Sequence, residues 1–358
     1  MILNLAKIGF PLAVIALLGL TAPEAKADLL IGGFVGNTSV LRYDETTGDL
    51  IDVFIPSGTG GLGIPASLTF GPDSNLYIGS FGTNSVLRYN GTTGAFLDTF
   101  VPSGSGGLAG PSQLSFGPDN NLYVGSIVTN NVLRYNGTTG AFIDTFVPAG
   151  SGGLNGLSGL TFGPDNNLYV GSVGTNSVLR YNGTTGAFIN TLVPPGSGGL
   201  SNPLGITFGS DNNLYVSSHA SKNVLRYNGT TGAFIDTFIP ADTGGLAFPA
   251  RLAFGSDNNL YVQNYIGQVL FTDDSRSDPN TSSILRYDGT TGEFIDTVVP
   301  YSSNGIDNIG GLTFTPTQSV PEPSMTLGLL MLGAWGSVTQ VKHKLKKQKL
   351  ATPYSREC

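Results

Sequence analysis

Side chains able to do chemistry are sparse in this chain, and most of them gather in or near one stretch. Between Gln263 and Asn280 stand Asn264, Tyr265, Phe271, Asp273, Asp274, Arg276 and Asp278. Three aspartates set among Asn and Ser offer the hard oxygen ligands that calcium takes, so Asp273, Asp274 and Asp278 are the candidate metal set. Tyr265 and Phe271 add flat faces suited to stacking on a sugar ring. Upstream, His219 and Lys222 bring a titratable ring and a cation. His219 is the one histidine between residues 28 and 320, and Cys358 is the only cysteine. A multi-histidine zinc centre and a Cys–His nucleophile are thereby excluded. A Ser–His–Asp triad would have to use His219, and no nucleophile-elbow sequence accompanies it. With one cysteine no intrachain disulfide forms, so an oxidising compartment is permitted but not required.

These residues interrupt a regular pattern that must position them. The stretch Leu133-Arg134-Tyr135-Asn136-Gly137-Thr138-Thr139-Gly140 returns with its arginine at 42, 88, 134, 180, 226 and 286, at spacings of 46, 46, 46, 46 and 60 residues. The 14 extra residues of the last interval are the aspartate-rich insertion. A unit read from Gly159 holds four short β-branched and aromatic runs: Gly159 to Phe162, Asn167 to Ser172, Ser177 to Tyr181 and Ala187 to Val193. Turn residues separate them, which predicts four strands, a to d. Asn-Gly between c and d is expected to take positive φ and close a hairpin. No unit carries a helical period, and four antiparallel strands at this repeat length predict a β-propeller blade.

The phase at the two ends gives the number of blades. Strand a recurs around Phe70, Phe116, Phe162, Phe208 and Phe254, and once more as Gly311-Leu312-Thr313-Phe314 with no strand b after it. The chain begins instead with a strand b at Leu29 to Gly32, followed by c and d. The C-terminal strand a therefore joins the N-terminal b-c-d set, and residues 28–317 form an all-β, six-bladed propeller of four-stranded antiparallel blades.

Residues present in every blade are explained by building blades. The Asp-Asn-Asn segments at Asp119, Asp165, Asp211 and Asp257 lack the further acids of a calcium loop and read as turns. The strand c arginines are expected to pair with acids such as Asp98, Asp144 and Asp236 on strand d. The Asn-Gly-Thr sequons at Asn90, Asn136, Asn182 and Asn228 read as hairpin turns. Departures from the repeat are more informative. The a–b and c–d turns hardly vary, whereas the b–c connections do: Ile127-Val128-Thr129, then His219 to Lys222, then the insertion. That face is the expected working face. At the start of strand a the blades show Ser67, Gln113, Gly159, Gly205, Arg251 and Gly311, which sends Gln113 and Arg251 toward the central channel.

Charge limits the partners. Between residues 28 and 320 nine basic residues face twenty-one acidic ones, so nucleic acid is excluded as a partner of the body. Disorder is excluded by a 40% hydrophobic content that recurs in register. The ends read as addresses. Residues 1–27 form a signal peptide, with Lys7, the apolar run Ile8 to Leu20 and the Ala25-Lys26-Ala27 cleavage pattern, and signal peptidase as its partner. Residues 318–358 form a tail, with Pro321-Glu322-Pro323, a transmembrane helix over about 325–341, and Lys342, Lys344, Lys346, Lys347 and Lys349 holding its cytoplasmic end.

That tail resembles the PEP-CTERM sorting signal of Gram-negative and cyanobacterial surface proteins. The resemblance implies recognition by an exosortase-like enzyme, a membrane-anchored intermediate or lasting anchor, and a destination at the cell surface or outside it. Leu350 to Cys358 extends beyond the basic cluster where such signals stop. In the body, Leu-Thr-Phe-Gly-Pro-Asp-Asn-Asn-Leu-Tyr-Val and Val-Leu-Arg-Tyr-Asn resemble NHL repeats, whose members form six-bladed propellers. Metal lactonases share that fold and use carboxylate and amide ligands around the channel. No matching glutamate is found, since Glu45 and Glu293 lie at c–d turns on the other face. The expected function is a non-catalytic binding or scaffold module without a cofactor, in contact with extracellular polysaccharide or surface proteins. The second reading is a calcium-assisted hydrolase or lyase using Asp273, Asp274 and His219.

Overall fold

The computed structural model describes residues 26–35, 38–265, 282–301, 303 and 308–317. Twenty-four strands among them form six four-stranded antiparallel sheets. Blade 2 comprises β4 (Pro65–Phe70), β5 (Leu76–Ser80), β6 (Ser85–Tyr89) and β7 (Phe96–Val101). Blade 3 comprises β8 (Pro111–Phe116), β9 (Leu122–Ser126), β10 (Asn131–Tyr135) and β11 (Phe142–Val147). Blade 4 holds β12 (Leu157–Phe162), β13 (Leu168–Ser172), β14 (Ser177–Tyr181) and β15 (Phe188–Val193). Blade 5 holds β16 (Pro203–Phe208), β17 (Leu214–Ser218), β18 (Asn223–Tyr227) and β19 (Phe234–Ile239). Blade 6 holds β20 (Phe248–Phe254), β21 (Leu260–Tyr265), β22 (Ser282–Tyr287) and β23 (Phe294–Val299). Blade 1 is made from both ends of the propeller: β24 (Asn308–Phe314) pairs with β1 (Asp28–Val35), which is followed by β2 (Val40–Asp44) and β3 (Leu50–Ile55). The closure expected from the sequence is therefore the one found, with Leu29 opposite Phe314 and Ile31 opposite Leu312.

Burial follows each strand's place along the blade radius. Strand b is sandwiched between neighbouring blades, so every residue of Leu122–Ser126 is buried and the run reads as continuously apolar or small. Strand d lies at the rim, where the first half of Phe142–Val147 is exposed and only its end is covered. The core is accordingly a set of inter-blade layers. Tyr123, Val132, Phe146 and Val147 of blade 3 pack on Leu157, Leu160, Val170 and Leu179 of blade 4. At the closure, Tyr261, Ile284 and Val299 of blade 6 pack on Leu29, Ile31, Ile309 and Leu312 of blade 1.

The repeated polar residues build turns and rim pairs. Asp119 accepts from the backbone and side-chain amides of Asn121 at 3.1 and 2.8 Å and from the Tyr123 hydroxyl at 3.0 Å, while Asn120 takes the left-handed φ of 59°. The strand c arginines meet strand d acids as expected, Arg134 with Asp144 at 3.1 Å from Nε and Arg226 with Asp236 likewise. In blade 4, Asn190 takes the acid's place and Arg180 also donates to the Thr230 carbonyl at 3.2 Å. Such half-exposed pairs are worth at most about 1 kcal/mol each.

The c–d turn differs from expectation in one respect. Asn136 accepts from the N–H groups of Thr138 and Thr139, and the left-handed residue is the closing Gly140 at φ +72°, not Asn136 or Gly137. Gly137 is needed for space, because a Cβ there would overlap the Asn120 carbonyl oxygen of the a–b turn. Blade 1 has no covalent a–b turn, since β24 and β1 come from opposite ends of the sequence. Its c–d turn tolerates Glu45 at the glycine's place.

Glu45 is put to use at the closure. Its buried carboxylate accepts from the Ser256 N–H at 2.6 Å and hydroxyl at 2.5 Å, and its carbonyl accepts from Tyr261 at 3.1 Å and Arg286 at 2.9 Å. Glu45→Ala leaves the Ser256 N–H without its partner. The expected loss is about 1–3 kcal/mol in urea unfolding, against a change within about 0.5 kcal/mol for Glu293→Ala, which sits exposed in the blade 6 turn.

Candidate functional site

The b–c connections sit at the opposite ends of the strands from those turns. In blade 2 the connection closes with Asn84 at φ 53°, whose side-chain oxygen accepts from the Gly110 N–H of blade 3 at 2.7 Å. Asn130 and Asn176 cap the following blade in the same way, at 2.9 and 2.6 Å. Asparagine suits both tasks, since it tolerates the left-handed region and carries an acceptor. Blade 5 breaks the rule: Lys222 occupies the position at φ 61°, remains exposed, and lays its ammonium 4.8 Å from the Phe248 ring centre. Ile127 and Val128 form an exposed apolar tip on the blade 3 connection, 36% and 70% accessible.

His219, Asn264 and Tyr265 turn inward from this face. His219 is buried, 5.3 Å from the Phe248 ring and 6.5 Å from that of Tyr265. Its Nδ1 lies 3.1 Å from the Pro249 carbonyl, an acceptor only, so Nδ1 carries a proton and donates it. Burial pushes its pKa down, and the bond to Pro249 offsets part of that shift. The unfolded chain therefore takes up a proton before the folded one as pH falls below about 6.5. The stability contributed by neutral His219 is present above that pH and is lost below it. Urea midpoints of the wild type should accordingly fall further than those of His219→Gln between pH 7.5 and 5.5. Equal slopes would contradict the burial of a neutral ring.

Asn264 replaces the serine found at Ser80, Ser126, Ser172 and Ser218. Fully buried, it accepts from the Ala247 and Phe248 N–H groups at 2.8 and 3.1 Å and donates to the Gly245 carbonyl and Tyr301 hydroxyl at 3.1 and 3.2 Å. All four bonds are internal, so Asn264 holds the blade together and does not face a ligand.

The channel gathers polar side chains from several blades. A cavity of about 230 Å³ runs along the axis, bounded by Ser67, Gln113, Gly159, Gly205, Arg251 and Gly311, and continues past Thr69, Ser115, Thr161 and Thr207 toward the a–b turn end. Arg251 leaves strand a of blade 6 and crosses the channel. Its Nε donates to the Gly310 carbonyl of blade 1, and its Nη2 to the Ala66 carbonyl of blade 2 at 2.5 Å and the Ser112 carbonyl of blade 3 at 3.2 Å. Beside it, the Tyr265 hydroxyl accepts from Gln263 at 2.7 Å and donates to the Ile309 carbonyl at 3.1 Å. Burial raises the Tyr265 pKa, an effect that the Arg251 charge partly offsets. The same burial lowers that of Arg251.

Of the candidate residues in the described part, the structure brings Arg251 and Gln113 to the channel, turns Tyr265 inward near Arg251 and leaves Lys222 outside. Phe271, Asp273, Asp274, Arg276 and Asp278 lie outside the described residues, as do Pro321, Glu322, Pro323, the apolar run 325–341 and nearly all of segment 1–27. Among the described residues no cluster of three His, Cys, Asp or Glu is placed to hold a metal ion, and no helix is long and apolar enough to cross a membrane. Sequence reasoning missed Gln263 and Asn308, which are buried with Oε1 and Oδ1 unpaired. The signal was legible: Gln263 stands where the other blades show Gly79, Gly125, Gly171 and Ser217.

No protein-family model matches the chain. No curated protein matches it either. Solved structures do, at the level of fold. A Bacteroides caccae protein of unknown function superposes with a TM-score of 0.58 at 14% identity, over 81% of this chain and 99% of that one. A chain of a nidogen/laminin complex gives 0.59 at 15% identity, over 82% and 100%. Virginiamycin B lyase from Staphylococcus aureus gives 0.51 at 18% identity, over 75% and 84%. The class of protein is thus a six-bladed β-propeller, and the fold is shared by a lyase and by a component of a protein complex.

Proposed function

We propose that the chain is an exported, surface-sorted propeller that serves as a non-catalytic binding or scaffold module in the extracellular polysaccharide or envelope matrix. One observation carries the reading: the a–b and c–d turns repeat the same hydrogen bonds blade after blade, while the b–c side departs at Ile127-Val128 and at His219 to Lys222. A rigid disc varied on one side is built to present a surface. The likeness of the tail to PEP-CTERM signals and of the blades to NHL repeats supports export and display, with signal peptidase and an exosortase-like enzyme as processing partners.

The test is a binding screen of the full chain, solubilised in non-ionic detergent, against polysaccharide isolated from the envelope of the producing cell. Saturable binding that is lost on deleting residues 273–279 supports the reading and places the contact on the insertion. Calcium-dependent shortening of the polysaccharide would overturn it in favour of a hydrolase or lyase. For the address, replacing Pro321-Glu322-Pro323 by alanines should leave an uncleaved chain in the membrane fraction; unchanged release would remove the sorting signal from the account.

A further inference from the structure

The propeller's axis contains a charge that nothing in its lining neutralises. Arg251 is the one ionisable residue among those bounding the channel cavity. A guanidinium keeps its proton at any physiological pH, so burial leaves it charged. The three carbonyls that accept from Nε and Nη2 satisfy donors and supply dipoles, but they carry no net charge. Arg251 is partly exposed to the channel, and an ion that is partly desolvated without a counter-ion carries a cost that a bound anion would relieve. The remaining amino group, Nη1, bonds to none of the described residues. Gln113, also bounding the cavity, makes no hydrogen bond to the described residues either, which leaves two amide donors and an acceptor free beside the cation. Past them the cavity is lined by threonine and serine hydroxyls.

We infer that the channel is a binding site for a small oxyanion, a carboxylate or phosphate group held by Arg251 Nη1 and the Gln113 amide with hydroxyls completing the shell. Size and charge define the class. A channel cavity of about 230 Å³ has room for one small anion with several waters. The body around it is acidic, which disfavours polyanions and favours a ligand of low charge that exchanges its hydration for the channel's donors. Nε and Nη2 are already committed to carbonyls, so the bidentate fork that selects extended phosphates is not on offer.

The experiment is calorimetric titration of the full chain in detergent with potassium phosphate and, separately, potassium acetate, each against potassium chloride at equal ionic strength. Saturable binding of one anion is expected, and which anion binds decides between a phosphate and a carboxylate ligand. Gln113→Leu removes no bond made in the structure, so it should melt as the wild type does in chloride while binding at least tenfold more weakly. Arg251→Met should not bind at all; should it fail to fold, Gln113→Leu alone decides. Absence of saturable binding to either anion overturns the proposal, as does binding that Gln113→Leu leaves unchanged.

Discussion

Ending the chain at Asp307 is expected to abolish cooperative unfolding in urea, whereas ending it at Thr317 leaves the transition in place. The difference is β24. It supplies strand a of blade 1, so its loss exposes the inner edge of β1 and removes the ladder from Leu29–Phe314 to Ile31–Leu312. Ile309 and Leu312 leave the core between blades 6 and 1, and truncations of such side chains cost about 2–5 kcal/mol apiece. Phe314 no longer packs edge-on to Tyr261 at 4.8 Å, and Arg251 and Gln263 lose the Gly310 and Ile309 carbonyls. Asp28 loses the bonds to Thr315 that fasten the first strand, at 2.7 and 2.9 Å. Together these reach the 5–15 kcal/mol by which a domain is stable at all. The readout is the far-ultraviolet circular dichroism transition; a single sharp transition at a lowered midpoint would show that five complete blades hold without the sixth.

That junction also shows what the sequence made legible. The blade count and the shared blade followed from phase alone, because Gly311 to Phe314 repeats a strand that nothing follows and Leu29 begins at the next one. Such a pattern depends only on side chains at fixed offsets. The backbone conformation of the c–d turn was less accessible: Asn-Gly is compatible with positive φ, and only the bonds from Thr138 and Thr139 to Asn136 show that the strained position is Gly140. The place of Glu45 in a c–d turn is legible from the repeat, yet its role is not, since Ser256 lies 211 residues away in sequence.

The candidate site was legible in part for a related reason. Comparing blades at one repeat position singled out Arg251 and Gln113, and the channel is where they are found. The same comparison placed His219, Asn264 and Tyr265 on the b–c face, which is correct along the strand but says nothing about direction. Asn264 fills a serine's place and turns its amide into the blade, and His219 finds a carbonyl at Pro249. Whether a side chain at a strand end points out or in is set by the neighbouring blade, and that neighbour is not adjacent in sequence.

Tyr123→Ala should be among the most damaging single substitutions, about 3–5 kcal/mol, and Tyr123→Phe a mild one, about 1 kcal/mol. Tyr123 is fully buried and meets two rings edge-on at 4.8 Å, Phe146 of its own rim strand and Phe162 of the next blade. Removing the ring empties the layer between blades 3 and 4, whose β-strands are too constrained by their ladders to collapse into the space. Removing only the hydroxyl forfeits the 3.0 Å bond to Asp119, a half-exposed group that water can serve instead. The blades supply their own controls. Tyr215 keeps both rings, with Phe238 and Phe254, whereas Tyr169 has Leu192 and Tyr261 has Val298 in place of the rim phenylalanine. If the paired rings add the ~0.5–1.5 kcal/mol typical of aromatic contacts, alanine at Tyr123 or Tyr215 costs more than at Tyr169 by about that amount in urea unfolding. Equal losses at all three positions would assign the stability to buried area alone and leave the edge-on geometry without energetic weight.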